Sequence, residues 1–257
     1  MIVSESKKFI YIHIYKTGGS TITDLLSPYV DEKFQGKDAT KEGFGWQSSW
    51  HLKGQQHANI ADALPTLDKL GIDCSDYFVF TFVRNPYTWL LSVWNNFYRH
   101  PSANLPQGNI IQQLKNFYRK RFRASVAGAV HFHRLFPDGS FPSFILFLEQ
   151  IDRENSKITK QYWGAYDQYS FLENKRELQI DLIGKFENFE EDVRQLLQKL
   201  DLEYPDKLPH RTYKKTGAER KNYLDYYDER SLKIVNQLFQ RDFAAFDYPQ
   251  LTTVAQQ

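Results

Sequence analysis

The sequence predicts an α/β fold, a central parallel sheet flanked by helices. Two observations carry this. Short apolar runs of strand character alternate with longer stretches of helical periodicity, the pattern of parallel strands joined by helical crossovers. The first such run ends in a polar, glycine-containing loop that opens onto a helix, which is where open parallel sheets take their ligands. A chain of 257 residues suits one large domain of this class.

Each element follows from local chemistry. Phe9-Ile10-Tyr11-Ile12-His13-Ile14 is rich in β-branched and aromatic residues and reads as a buried strand. Lys16 to Gly19 follows as a loop, and Ser20 or Thr21 begins a helix through Leu26 that Pro28 limits. Ile60 to Leu70 reads as a helix and Tyr77 to Val83 as a second strand. Arg84-Asn85-Pro86 is a turn, with Pro86 in the first turn of a helix to about Tyr98. Phe141 to Glu149 begins a further helix, and Ile180 to Phe186 is a third strand. Asn188 with Glu191 predicts a capping box for a helix that buries Phe189, Val193, Leu196, Leu197 and Leu200. A last helix from about Asp228 to Phe243 buries Leu232, Val235, Leu238 and Phe239. Residues 30–56 are polar and irregular, and residues 100–140 read as an insertion with one helix.

Composition narrows the class. Hydrophobic residues make up 41% and charged residues 25%, enough apolar surface for a sizeable core. The many aromatic side chains read first as core. A net charge of +2 argues against a dedicated nucleic-acid or membrane-surface binder. Cys74 is the only cysteine, which excludes an intrachain disulfide and a cysteine metal cluster and fits a reducing compartment. The first residues lack the pattern of a secretory signal, and the longest apolar runs are too short to span a bilayer. The expectation is a soluble, cytoplasmic protein. Nothing in the chain specifies an oligomeric state.

The loop Lys16-Thr17-Gly18-Gly19-Ser20-Thr21 carries the chemistry. Glycines permit positive φ and close backbone approach. Main-chain N–H groups opening onto a helix N-terminus make an anion site, to which Lys16 adds charge and Thr17, Ser20 and Thr21 add hydroxyls. The order is not that of a Walker loop, because the lysine precedes the glycines. On the loop alone, an ordinary polar glycine turn remains an alternative. The second strand adds Arg84 at its carboxyl end, with Ser92 two turns along the next helix. A guanidinium and a hydroxyl there make a second phosphate site. Two such sites suit a nucleotide with phosphate at both ends of its ribose.

Together these segments resemble the PAPS-dependent sulfotransferases of the carbohydrate type, which include heparan 2-O- and 6-O-sulfotransferases and smaller bacterial relatives. The family pattern runs from a strand into His-Ile-Pro-Lys-Thr-Gly-Gly-Thr/Ser, then later Phe-Val-Arg-Asn-Pro with a serine along its helix. Lys16, Thr17, Gly18, Gly19, Ser20 and Arg84 match, whereas Tyr15 stands in the proline position and implies a less rigid approach to the loop. Asp181 to Asn188 resembles the family's "DfIGrfEn" strand, and Leu208-Pro209-His210, Tyr223 to Asp228 and Asp242-Phe243 through Tyr248 resemble its C-terminal segment. The resemblance implies a single P-loop-NTPase-like domain with the sulfotransferase fold over residues 1–257. Variable acceptor-side insertions fall at about 30–56 and 100–165.

The resemblance also implies roles. Lys16 binds the bridging oxygen and 5′ phosphate of PAPS and stabilises the departing PAP. Thr17, Gly18, Gly19, Ser20 and Thr21 hold the 5′ phosphosulfate, and Arg84 and Ser92 hold the 3′ phosphate. The basic loop carrying Arg211 and Lys215 closes over the nucleotide, though a plain solvated loop would look the same. No metal is required. His57, in Gln56-His57-Ala58-Asn59-Ile60-Ala61-Asp62, is the candidate general base, with His51 the runner-up. His13 packs or orders the loop. His131 and His133 lack the companions of a metal site, and His210 lies in the basic loop.

Lys115, Arg119, Lys120, Arg121 and Arg123 form a cluster that either draws an anionic acceptor or is an exposed helix face. Trp46, Trp50, Trp94 and Trp163 either line an acceptor pocket or belong to the core. The expected activity is in-line transfer of the sulfuryl group from PAPS to an acceptor hydroxyl on a saccharide or other small molecule. Competing readings are an ATP-dependent kinase of P-loop type and a non-catalytic nucleotide- or glycan-binding module.

Overall fold

The computed structural model describes residues 1–36, 50–54, 56–99, 123–153, 162–174, 178–209 and 222–254. Its strands are β1 (Ile2–Ser4), β2 (Phe9–Ile12), β3 (Phe78–Val83) and β4 (Leu182–Lys185). Its α-helices are α1 (Gly19–Leu26), α2 (Ile60–Lys69), α3 (Pro86–Phe97), α4 (Arg123–Leu135), α5 (Phe141–Glu149), α6 (Phe189–Lys199), α7 (Glu229–Leu238) and α8 (Gln240–Ala245). The chain gathers into two compact units, Met1–Asn85 with Gln168–Ala218 and Pro86–Asp167 with Glu219–Gln257.

The first unit holds a four-stranded sheet in the order β1-β2-β3-β4. β2, β3 and β4 are parallel, as the alternating pattern predicts, with Ile12 beside Thr81 and Phe82 beside Gly184. β2 is one apolar run because Phe9, Ile10, Tyr11 and Ile12 are all fully buried, which leaves no solvent face to encode. β1 departs from the expectation by running antiparallel to β2. The link between them is too short for a parallel crossover. Asp31 braces that turn, its carboxylate accepting from the Glu5 N–H at 2.6 Å and the Ser6 N–H at 3.3 Å.

Beside the sheet, α6 packs against β4, and aromatic contacts run from Phe82 of β3 through Phe189 of α6 towards the loop after β2. A Cβ at Gly184 would lie 2.5 Å from Cε1 of Phe82, so the Phe82 ring lies over its paired glycine. The Phe82 ring meets Phe189 of α6 at 5.4 Å. Asn188 precedes α6, but the predicted capping box does not form, and the Asn188 side chain caps nothing. A 3₁₀ turn over Phe186–Asn188 runs straight into the helix, so Asn188 does not take the extended backbone of an N-cap. Asp192 reaches back instead and accepts from the Lys185 N–H.

The second unit is helical, with an aromatic core. α5 packs against α7, and α4 and α3 pack against α5. Tyr87, Trp89, Tyr98, Phe132, Phe144 and Phe239 are fully buried. The predicted last helix is two helices, broken at Phe239, whose φ of −114° and ψ of 22° leave the helical region. Its ring is wedged between Trp89 and the Arg153 guanidinium. Asp228 caps α7 through a reciprocal pair with Ser231. Among the described residues, no helix is long and apolar enough to cross a membrane.

Candidate functional site

Parallel strands place their carboxyl ends on one edge of the sheet. β2 therefore delivers the Lys16 loop and β3 delivers Arg84 to the same edge of the first unit. Lys16 has φ 66° and Gly18 φ 90°. Left-handed backbone at a lysine is uncommon and marks a conformation that its surroundings impose. Gly18 also starts α1, its carbonyl accepting from the Thr21 N–H at 3.0 Å. Together the turn and the helix N-terminus make the main chain a donor surface for an anion.

The glycines of the loop have a cause that sequence alone did not show. A Cβ on Gly18 would lie 2.3 Å from Cε2 of Phe189, and one on Gly19 would lie 1.8 Å from Nε2 of His13. The space that the glycines leave is filled by the protein's own side chains, from α6 on one side and from the end of β2 on the other.

The hydroxyls divide similarly. Thr17 Oγ1 donates to the Ile14 carbonyl at 2.8 Å, and Thr21 Oγ1 donates to the Pro209 carbonyl at 2.8 Å. A hydroxyl has one hydrogen, so these two brace the loop. Ser20 and Lys16 are half-buried beside the main-chain N–H groups of the turn. Tyr15, in the position of the family's proline, is buried with its ring edge-on to His57 and Phe171, so packing holds the approach to the loop.

Two cations converge here. Burial, and then the charge of Arg84, lower the pKa of Lys16 below the ordinary lysine value. The Arg84 guanidinium lies over the Phe186 ring, 4.4 Å from its centroid. Its main chain is held by a residue that the sequence reading missed. Gln168, fully buried, accepts from the Arg84 N–H at 2.8 Å and donates from Nε2 to the Arg84 carbonyl at 2.7 Å. Glu187 accepts from the Asn85 N–H at 2.9 Å. Gln168 sits far from Arg84 in sequence and belongs to no recognisable motif, so no sequence signal marks it.

Three histidines cluster beside the loop. His57 is half-buried, and its Nδ1 donates to the His13 carbonyl at 3.1 Å. A carbonyl only accepts, so Nδ1 carries the hydrogen and the lone pair of the neutral ring lies on Nε2. Burial lowers the pKa of His57 to about 4, so it is neutral at pH 7. His51 is fully buried, with Nε2 2.8 Å from Nδ1 of His13. His13 is held well below the ordinary histidine pKa by burial and then by the charges of His57 and His51. His57 is thus the more accessible of the two candidate bases.

The remaining candidates have their own settings. Ser92 lies on α3 in the second unit, half-buried. His131 Nδ1 pairs with the Tyr162 hydroxyl, and His133 Nε2 donates to the Tyr98 carbonyl. Among the described residues no group of three or more His, Cys, Asp or Glu is placed to hold a metal. Trp94 is a core residue whose Nε1 donates to the Gly139 carbonyl at 3.0 Å, and Trp163 stacks on Phe97 at 4.5 Å. Arg211, Lys215, His210, Trp46, Lys115, Arg119, Lys120 and Arg121 lie outside the described residues.

Comparison with known proteins identifies a family. Residues 1–249 match the Sulfotransferase family. Carbohydrate sulfotransferase 12 of Xenopus laevis is 24% identical over 181 residues, covering 69% of this chain and 41% of that protein. The chain therefore spans well under half the length of this curated relative. No solved structure matches it.

Proposed function

The chain belongs to the sulfotransferase family, and from that premise we propose that it transfers the sulfuryl group of PAPS to a hydroxyl on a saccharide or other small molecule. The likeness to a carbohydrate sulfotransferase supports the acceptor class. A P-loop-like sheet, with its donor site at the carboxyl edge, is part of the same proposal.

One observation carries the reading. Parallel β2 and β3 bring Lys16 and Arg84 to one edge of the sheet, beside a loop in left-handed backbone, and burial with the charge of Arg84 lowers the Lys16 pKa. Two cations at one sheet edge, beside a main-chain anion site, call for a polyanionic ligand. A nucleotide with phosphate at both ribose ends meets that need. In this reading Arg84 holds the 3′ phosphate, and Lys16 and the loop N–H groups hold the phosphosulfate.

Sulfuryl transfer resembles phosphoryl transfer, in that the attacking and leaving oxygens lie in line and most catalysis is positioning and charge stabilisation. The acceptor oxygen bonds to sulfur as the bond from sulfur to the 5′-phosphate oxygen breaks. Lys16 stabilises the charge that grows on that oxygen. His57, neutral and with its lone pair on Nε2, takes the acceptor proton.

Calorimetry and turnover test this. PAP binds, and raises the melting temperature by mass action. Lys16→Ala abolishes PAPS turnover. Absence of PAP binding, or turnover of ATP with magnesium in place of PAPS, overturns the proposal.

A further inference from the structure

We propose that His13 is the positioning residue that joins the two halves of the site, and that His51 orients it. The inference rests on the reading of His57 as the base and goes beyond it, because it concerns two histidines that need not touch either substrate.

Four contacts fix the His13 side chain and its carbonyl. The ring stacks on Tyr11 at 5.4 Å, with the planes 23° apart. Nδ1 meets Nε2 of His51 at 2.8 Å. Nε2 lies where a Cβ of residue 19 would be, against Gly19 of the anion loop. The His13 carbonyl receives the Nδ1 hydrogen of His57, and the two rings sit edge to face at 4.6 Å. One residue therefore touches the loop through its ring and the base through its main chain.

A merely space-filling role does not require this chemistry. Leucine or phenylalanine would fill a buried site without the cost of burying ring nitrogens. The hydrogen bond to His51 adds orientation. An imidazole can turn about its Cβ–Cγ bond, and anchoring Nδ1 leaves Nε2 towards Gly19. Neutral rings share a single hydrogen across such a contact, one nitrogen donating and the other accepting. His51 is itself anchored, because the next residue, Leu52, donates its N–H to the Met1 carbonyl on the flank of β1 at 2.9 Å. The order of support is thus β1, His51, His13, and then both Gly19 and His57.

His51→Leu keeps an apolar group at the site and removes the hydrogen bond, whereas His51→Gln restores an amide Nε2 donor. His51→Leu is expected to lower kcat about tenfold and to weaken PAP binding several-fold, since small misplacements of catalytic groups cost rates of this order or more. His51→Gln is expected to recover both. A purely structural role would lower Tm and leave the kcat of the folded enzyme and the PAP affinity unchanged. In the wild-type protein, 15N NMR is expected to show a coupling through the hydrogen bond between His13 Nδ1 and His51 Nε2, which tests the contact even where His51→Leu fails to fold. Wild-type kcat and PAP affinity in folded His51→Leu, or absence of that coupling, overturns the proposal. His57→Ala, assayed in parallel, separates the two ideas. Wild-type turnover in His57→Ala removes the base assignment on which the proposal rests. Abolished turnover there, with wild-type His51→Leu, overturns the role of His51 and His13 alone.

Discussion

Gln168 grips the Arg84 main chain at both its N–H and its carbonyl, 84 residues away in sequence. The side-chain amide acts as a short stretch of neighbouring strand just past the end of β3. It satisfies two polar groups where the sheet ladder stops, and it does so from a fully buried position. The consequence is a guanidinium launched from a fixed backbone and supported on the face of Phe186.

Removal of that grip therefore acts on one ligand group. Gln168→Leu leaves the Arg84 N–H and carbonyl without these partners, and is expected to weaken PAP binding about tenfold, roughly the worth of one well-made hydrogen bond. Binding of adenosine 5′-monophosphate, which lacks the 3′ phosphate, should change little. Titration calorimetry with both ligands checks this. Equal losses for the two would show that Gln168 supports the fold generally and not Arg84.

The loop glycines give a second test, because each faces a named side chain. Gly19→Ala drives a methyl into the His13 ring, and Gly18→Ala meets Phe189 while also forcing alanine to φ near 90°. Overpacking of this kind costs roughly 1–3 kcal/mol. Chemical denaturation should show both variants destabilised by that order. The double variant Gly19→Ala/His13→Ala should be less destabilised than the sum of its single changes, since the clash is removed with the ring. Strict additivity would mean that His13 does not fill the Gly19 space in solution.

Buried histidines make stability depend on pH. In the unfolded chain His57 titrates near the ordinary histidine value of 6.5, and in the folded protein burial lowers it to about 4. Between those values the unfolded state binds more protons, so stability rises with pH through that window. The His57 contribution is complete above the unfolded value and falls as pH drops towards about 4, by up to about 3 kcal/mol. His13, also held well below the ordinary histidine value by burial, adds to the same slope. Denaturant melts from pH 7 to pH 4 should show this loss, and His57→Gln should flatten it. A slope unchanged in His57→Gln would show that the ring is charged in the folded state.

How much of this was legible in sequence depends on how local each cause is. The three parallel strands, the helix after the loop and Pro86 at the start of α3 all follow from nearest-neighbour chemistry, and the described structure has them. Lys16 and Arg84 were legible because strand ends followed by loops place residues on one edge. β1 was not, since a three-residue strand has too few positions to show a period. The Asn188 capping box failed because a preceding 3₁₀ turn, set by packing of Phe186 and Phe189, overrode a local pattern. Gln168, and the reason for glycine at 18 and 19, depend on contacts between segments far apart in the chain. A lone glutamine or histidine carries no periodic signal, so only the fold reveals what it touches.

Thr21 carries the last prediction. Its hydroxyl donates to the Pro209 carbonyl across 188 residues, tying the first turn of α1 to the chain immediately before His210. Arg211 and Lys215 follow in sequence, in the basic loop that the family resemblance implies closes over the nucleotide. Thr21→Val keeps the shape of the side chain and removes the donor, leaving a carbonyl without this partner, at a cost of about 1–3 kcal/mol where it is buried. Two measurements distinguish the consequences. Loss of stability alone, with PAP affinity unchanged, makes the contact a brace for α1. A fall in PAP affinity of about tenfold, absent when Arg211→Ala/Lys215→Ala is already in place, makes it the coupling between loop and cations, because non-additivity is the signature of residues acting through one another.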